Sequence, residues 1–360
     1  MEKNDKLPIE QIIAFSFLGI IGNVVYIHTW IDHDTDRSSW LAAFLGILLL
    51  IPFALWILYL GKRHPQYNIF DILYNRLGKI PTGIICILFI FINVAVAVTQ
   101  LNMFTQMVHV FLLRSTPSWV IMFLMVSMCT WIVQKGTIKM GRLITVLTII
   151  GLINYLGCFV FAFPSDVSVK SIIPIFDTTL IGFIKGTIFI TCASSEYLLI
   201  FMVIVRHINK CPKYDKWVVG GIVITAIIFS IAILIIIAMM SPELAKRIAF
   251  GGVNAARIIH IGEFLQGLEL LVFITYQFIA TGKTIMSLYC SWDSAKIVFA
   301  NKKPNLQLMI LAFLIIVPSI WLNSYNVAYY LAVFMSKFII LPFVILVLLL
   351  TTVSSRIKRK

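Results

Sequence analysis

Ten apolar or nearly apolar stretches, separated by short charged segments, run the length of the chain. A helix needs about 20 mainly apolar residues to cross the hydrocarbon of a bilayer. Residues 40–60, 143–163 and 217–240 meet that length without a charge. The other stretches are 11–31, 81–113, 117–134, 180–205, 260–282, 306–322 and 326–353. The third in chain order is long, which predicts a tilted or protruding helix, and the fourth is short. The pattern predicts an all-α integral membrane protein of ten transmembrane helices, forming a single transmembrane domain over residues 1–360.

The odd number five decides the next expectation. Ten spans split into two sets of five, and the second set must then cross the membrane in the opposite sense to the first. Two segments of similar length occupy equivalent places in the halves, 61–80 after the second span and 241–259 after the seventh. Each is expected to hold a short surface helix, with Ile69, Ile72, Leu73 and Leu77 on one face of the first and Leu244, Ile248 and Ala249 in the second. The expected repeats are residues 7–163 and 180–353, arranged as a five-plus-five inverted repeat with broken first and sixth helices.

Charge orients the chain. Of its 29 basic residues, 21 fall on one side of the expected spans, six on the other and two, Lys185 and Lys337, within spans. The positive-inside rule then predicts a multi-pass protein with both termini cytoplasmic. The net charge of +14 is an orientation signal first and an attraction to anionic lipid second. No folded basic domain is available for nucleic acid. Composition agrees with a lipid environment: 60% of the residues are hydrophobic and 12% charged, against about one quarter charged in soluble domains. The first apolar stretch lacks a small-residue cleavage site and is expected to stay as a span.

Catalytic chemistry has no visible machinery. The six cysteines show no metal-ligand spacing, the six histidines are scattered, and no phosphate-cradling glycine loop or nucleophile elbow occurs. No enzyme activity, metal or cofactor is expected. Disulfides are not expected either, because the cysteines lie within spans or on the cytoplasmic side.

A five-plus-five transporter breaks the first helix of each half near mid-membrane, freeing backbone groups for a ligand. In the first span, Gly19-Ile20-Ile21-Gly22-Asn23 places two glycines and an amide in an apolar run, suited either to ligand contact at Gly22 and Asn23 or to close helix packing. In the sixth, Thr191-Cys192-Ala193-Ser194-Ser195-Glu196 is small, polar and ends in a carboxylate. A charge at that depth costs roughly 2.5 to 3.5 kcal/mol even on the lenient insertion scale. Two roles fit Glu196: it binds a substrate ammonium group or a cation, or it is held in a buried pair with a lysine, of which Lys337 is nearer in depth than Lys185. Ser194, Ser195 and Glu196 are the second group of expected substrate-binding residues. In the third span, Asn93, Ala97 and Gln100 share one helical stripe, with Val96, Thr99 and Asn102 nearby. Ala97 and Gln100 are the expected pocket wall; Asn93 and Asn102 suit hydrogen bonds between helices. Glu269 in the eighth span is a further binding candidate, and Glu263 a structural one. Trp30, Trp40, Trp119 and Trp321 at span ends suit the interfacial belt.

Several short motifs carry a family likeness. Leu7-Pro8-Ile9-Glu10-Gln11, the run Phe111-Leu112-Leu113-Arg114-Ser115-Thr116-Pro117, Glu196 followed by Tyr197-Leu198-Leu199, the stretch Glu263-Phe264-Leu265-Gln266-Gly267-Leu268-Glu269, and Leu341-Pro342-Phe343 before a basic tail together resemble the B subunits of endospore germinant receptors. The likeness covers essentially the whole chain. Those subunits belong to the spore germination permeases within the amino acid-polyamine-organocation superfamily, whose fold has five-plus-five inverted repeats. The resemblance implies a nutrient sensor: a small germinant, an amino acid in many cases, binds mid-membrane between helices 1, 3, 6 and 8. The signal then passes to partner A and C subunits in the spore inner membrane. It also implies that Glu196 is the family's span-6 carboxylate. Two departures stand out: Gly267 replaces a frequent Arg, and Val25-Tyr26-Ile27-His28 stands where Leu-Pro often follows the first break. The alternative function is an autonomous proton- or sodium-coupled amino acid permease.

Overall fold

A computed structural model of the chain describes residues 6–22, 34–162, 173–208, 213–258, 260–261, 265–266, 269–299 and 303–356. The first half contains α1 (Ile9–Ile21), α2 (Ser39–Leu48), α3 (Ile51–Arg63), α4 (Ile69–Leu77), α5 (Lys79–Phe111), α6 (Ser118–Gln134) and α7 (Thr137–Ala162). The second contains α8 (Leu180–Ser194), α9 (Glu196–Ile204), α10 (Lys213–Met240), α11 (Pro242–Ala245), α12 (Gly251–Ile258), α13 (Glu269–Val298), α14 (Pro304–Trp321), α15 (Tyr325–Met335) and α16 (Leu341–Arg356). A two-residue antiparallel pairing joins β1 (His260–Ile261) to β2 (Leu265–Gln266). Asn23, the stretch 25–28, Trp30, Cys211, Glu263, Gly267 and the end of the basic tail lie outside the described residues.

Among the described residues, eight helical stretches are long and apolar enough to cross a membrane, and α1 and α6 are shorter apolar helices. Phe91, Phe313 and Trp321 stand exposed on the outer surface. Large apolar side chains exposed in this way suit acyl chains, not water.

The second apolar stretch is not one straight rod. It is divided at Leu49–Leu50 into α2 and α3, with Pro52 in the first turn of α3. Proline supplies no amide hydrogen, so a helix start accommodates it where a helix interior would not. Before this bend, α2 crosses α8 at Gly46, whose carbonyl accepts the Thr191 hydroxyl at 2.9 Å. A Cβ at Gly46 would stand 2.7 Å from the Thr187 carbonyl oxygen and 2.8 Å from Ile190 Cβ, whereas a Cβ at Gly83 would meet nothing within 4 Å. Backbone cannot yield as a flexible side chain can. Gly46→Ala is therefore expected to lower stability by about 1–3 kcal/mol, and Gly83→Ala not to, when thermal unfolding midpoints are compared in detergent.

The segment after α3 forms the surface helix expected from its pattern. Asn68 accepts a hydrogen bond from the Asp71 amide at 2.6 Å, and the Asp71 carboxylate accepts one from the Asn68 amide at 3.0 Å. This reciprocal cap satisfies two amides that the helix start would leave without partners. Gly78, at φ +88°, ends α4 in a region that favours glycine and turns the chain into α5. Ile69, Ile72 and Leu73 are buried, and Phe70 packs on Phe89 with ring centroids 4.4 Å apart. The segment after α10 differs from its expected detail: its longer helix is α12, burying Val253, Ala255 and Ala256, while Leu244 is exposed.

The eighth span is displaced from the expected 260–282. Its helix, α13, runs Glu269–Val298 and carries Lys283 in its middle. The expected span ended just before its first basic residue, Lys283. Packing explains the difference, because α13 lies along α5 and also touches α1 and α9, so Lys283 points into protein instead of lipid.

Candidate functional site

The helix formed by α8 and α9 is interrupted at Ser195. The Ser195 amide donates to the Cys192 carbonyl at 3.3 Å and the Leu198 amide to the Ser195 carbonyl at 2.9 Å, both three residues back. A tightened turn thus replaces one step of the α-helical ladder. The Ser195 hydroxyl donates to the Cys192 carbonyl at 2.5 Å. The neighbouring Ser194 hydroxyl is buried without a hydrogen-bond partner among the described residues. Glu196 is the first residue of α9, where the helix dipole favours a carboxylate.

Lys283 donates to Glu196 Oε2, closing an ion pair whose side chains are 3% and 7% exposed. Glycine makes the approach possible. Gly22 caps the C-terminal end of α1, and a Cβ there would stand 2.2 Å from Lys283 Cδ and 3.1 Å from Ile279 Cγ2. The lysine stem therefore crosses the end of α1 in a lane that only glycine leaves open. That helix end also carries the negative pole of the macrodipole, which favours a nearby ammonium. At Gly19, a Cβ would lie 3.2 Å from Tyr197 Cβ, so the same face of α1 also closes on α9.

Beside the pair lies a cleft of about 280 Å³ counting its open mouth. Gly19 of α1, Asn93 and Val96 of α5, Glu196 of α9, and Lys283 and Ser287 of α13 line it. Helices 1, 3, 6 and 8 of the expected ten are the ones that meet there. Asn93 donates to the Phe89 carbonyl at 2.8 Å.

The expected residues distribute unevenly around this cleft. Glu196 is in its wall, and Gly22 supports the lysine beside it. Ala97 and Gln100 are buried farther along α5, where Gln100 donates to the Tyr276 hydroxyl at 3.2 Å. Asn93 and Val96 take the wall position, because a helical stripe defines a face but not how that face is turned toward its neighbours. Ser194 and Ser195 sit behind the wall at the interruption. Glu269 stands 14 positions before Lys283 on α13, about 21 Å along the helix. There it is 3.8 Å from Arg257 Nε and partly exposed.

The expected partner of Glu196 is corrected. The carboxylate is bonded by Lys283, while Lys337 lies in the π-helical turn Ser336–Ile340 with its ammonium 5.0 Å from the centroid of the Phe189 ring. Depth along the spans favoured Lys337 because Lys283 was placed beyond the end of its span. A second missed cluster closes the α4 end of the bundle. Arg206 donates to Asp293 Oδ1 at 2.5 Å and to the Tyr289 hydroxyl at 3.4 Å, and lies 3.7 Å from Asp71 Oδ2. Asn68 donates to Asp293 Oδ2 at 2.9 Å, and Thr137 shares a hydrogen bond of 2.8 Å with Tyr289. Burial raises the Asp71 carboxyl above its ordinary value, opposed by the Asn68 amide and Arg206. Apolar periodicity carries no signal for such a network.

Solved structures share this architecture. MhsT in complex with L-phenylalanine superposes with a TM-score of 0.64 at 12% identity, over 100% of this chain and 94% of its own. A mutant of the manganese transporter of Eremococcus coleocola gives 0.58 at 16% identity, over 94% and 78%. With its apolar helices and this shared fold, the chain is a multi-pass membrane protein. Within that class, it belongs to the spore germination protein family, which it matches over residues 6–328. Relatives include the spore germination proteins YndE of Bacillus subtilis (strain 168), 22% identical over 300 residues, covering 81% of this chain and 80% of its own, and GerQB of Bacillus cereus, 22% identical over 295 residues, covering 81% and 79%.

Proposed function

We propose that the protein is the nutrient-sensing, transporter-like subunit of a spore germination receptor, binding its germinant in the cleft between α1, α5, α9 and α13. The observation that carries this function is the buried pair of Glu196 and Lys283 in the wall of an open cleft. Two charges away from water are costly to hold, and inside a membrane protein such groups mark ligand paths more often than supports. The α4 end is placed at the cytoplasm with both termini, by the distribution of basic residues. The two halves, residues 7–163 and 180–353, are the inverted repeats, and A and C subunits in the spore inner membrane are the partners. Nutrient binding shifts a conformational equilibrium that those partners read, which requires different affinity in the two states.

The test is genetic. Spores lacking this subunit are complemented with the wild-type chain or with Glu196→Gln, alongside its cognate partners, and single nutrients are scanned. The variant is expected to lose or shift the nutrient response while the protein still accumulates. An unchanged nutrient profile at equal protein level contradicts the assignment. Likeness to MhsT, solved in complex with L-phenylalanine, also supports an autonomous proton- or sodium-coupled amino acid permease. Accumulation of labelled amino acid in vesicles holding this chain alone would select that second function.

A further inference from the structure

A charged corner stands apart from the cleft, where α3 ends and α4 lies across the surface. Arg63 closes α3, His64 caps it, and Arg76 is in the last turn of α4, which touches α3. We infer that this corner is a lipid site: Arg63, His64 and Arg76 hold the phosphate of an anionic glycerophospholipid, and one of its acyl chains lies along the exposed start of α5.

Like charges gathered at one corner favour an anion. Partial burial, with the guanidiniums of Arg76 and Arg63 close by, holds the His64 imidazole below its ordinary pKa, so the three groups share one locality. His64 Nε2 is buried without a hydrogen-bond partner among the described residues. A phosphate gives that nitrogen a partner and offers both guanidiniums acceptors that match their planar forks. The carboxylates on the adjoining elements are taken, Asp71 by Asn68 and Arg206 and Asp215 by Lys62. A headgroup amine therefore finds no acid here, which selects a headgroup without one.

The start of α5 separates a lipid from a free phosphate. Ile80, Ile84, Ile87 and Phe91 recur at intervals of four, three and four residues and so share one stripe of the helix. Each is more than half exposed. From Ile80 to Phe91 the stripe is about 16 Å long, close to half of a hydrocarbon core of about 30 Å. The acyl chain of one leaflet matches that length. Lys79 immediately precedes the stripe, and Tyr67 and Tyr74 are exposed on either side of α4's buried face; both residue types suit the level where headgroups meet hydrocarbon. A free phosphate engages the cations alone, whereas a lipid adds apolar contact along α5.

The experiment titrates the purified full chain in detergent with dioleoyl-phosphatidylglycerol, dioleoyl-phosphatidylcholine or glycerol phosphate, and counts bound molecules by native mass spectrometry. Phosphatidylglycerol is expected to occupy one site about tenfold or more tightly than phosphatidylcholine, as two basic side chains beside a headgroup would give. Arg63→Gln/Arg76→Gln is expected to lose that preference. Lys139→Gln/Arg142→Gln, which removes the same charge from the start of α7, is expected to keep it. Should the first double variant not fold, Arg63→Gln alone, at an exposed side chain, is expected to lower the preference by about threefold or more. Equal binding of the two lipids overturns the site. So does an equal loss in both double variants, which would reduce it to general surface charge. Glycerol phosphate that displaces phosphatidylglycerol at matching concentration overturns the lipid and leaves a site for a soluble phosphate.

Discussion

Lys283→Met is expected to destabilise the detergent-solubilised protein by about 3–5 kcal/mol, whereas Glu196→Gln/Lys283→Met restores most of that loss. The asymmetry follows from where the charges are. Removing the ammonium leaves the Glu196 carboxylate buried at the start of α9 without the lysine that neutralises it. Removing both charges takes away the Coulomb attraction and the desolvation cost together, and substitutions of similar volume often leave such sites neutral or better. A thermal double-mutant cycle reads the coupling directly. If the single variants melt with the wild type, the pair is not the buried contact described.

The network at the α4 end should respond almost as strongly. Asp293 is 4% exposed and accepts from both Arg206 and Asn68. Asp293→Ala leaves the guanidinium with Asp71 at 3.7 Å, and the Asn68 side-chain amide without its acceptor. A loss near the lower end of about 3–5 kcal/mol is expected. It should be local in character, because α4 is held to the bundle by Asn68, Asp71 and the face of Ile69, Phe70 and Leu73. Trypsin cleavage at Arg76 should accelerate in the variant before the rest of the chain unfolds. Equal cleavage rates in variant and wild type would show that the network does not hold α4 down.

The apolar framework was legible in the sequence because hydrocarbon imposes a length and an absence of charge that local composition displays. Among the described residues, eight helical stretches are long and apolar enough to span a bilayer and two more are shorter apolar helices, and the first and eighth stretches read as spans overlap their helices only in part. The surface helix α4 was legible for a similar reason, since its apolar spacing and its Asn68 cap are both local. Glu196 announced itself as a lone carboxylate in an apolar run.

Lys283 did not, although it is equally buried. A charge normally marks the end of a span, and this one is offset by a carboxylate from a helix far away in the chain, which no local pattern records. The same displacement misplaced the start of α13 and made Lys337 look like the partner. Asn93 was on the expected stripe and Val96 beside it, yet the choice between them and Ala97 and Gln100 depends on the rotation of α5 against α13. Only packing sets that angle. Arg206 and Asp293 each sit near a helix end, and their meeting is a long-range event.

Protection of a cysteine placed in the cleft tests the central claim most directly. Ser287→Cys, in a background with Cys290 replaced by Ser, puts one thiol in the wall beside Lys283. Its rate of modification by a small thiol reagent is followed in spore membranes with and without the nutrient that triggers germination. Slower labelling at saturating nutrient, with no slowing by a nutrient the spores ignore, is the predicted result. An identical rate in the presence and absence of the effective nutrient would contradict it and place the germinant elsewhere in the fold.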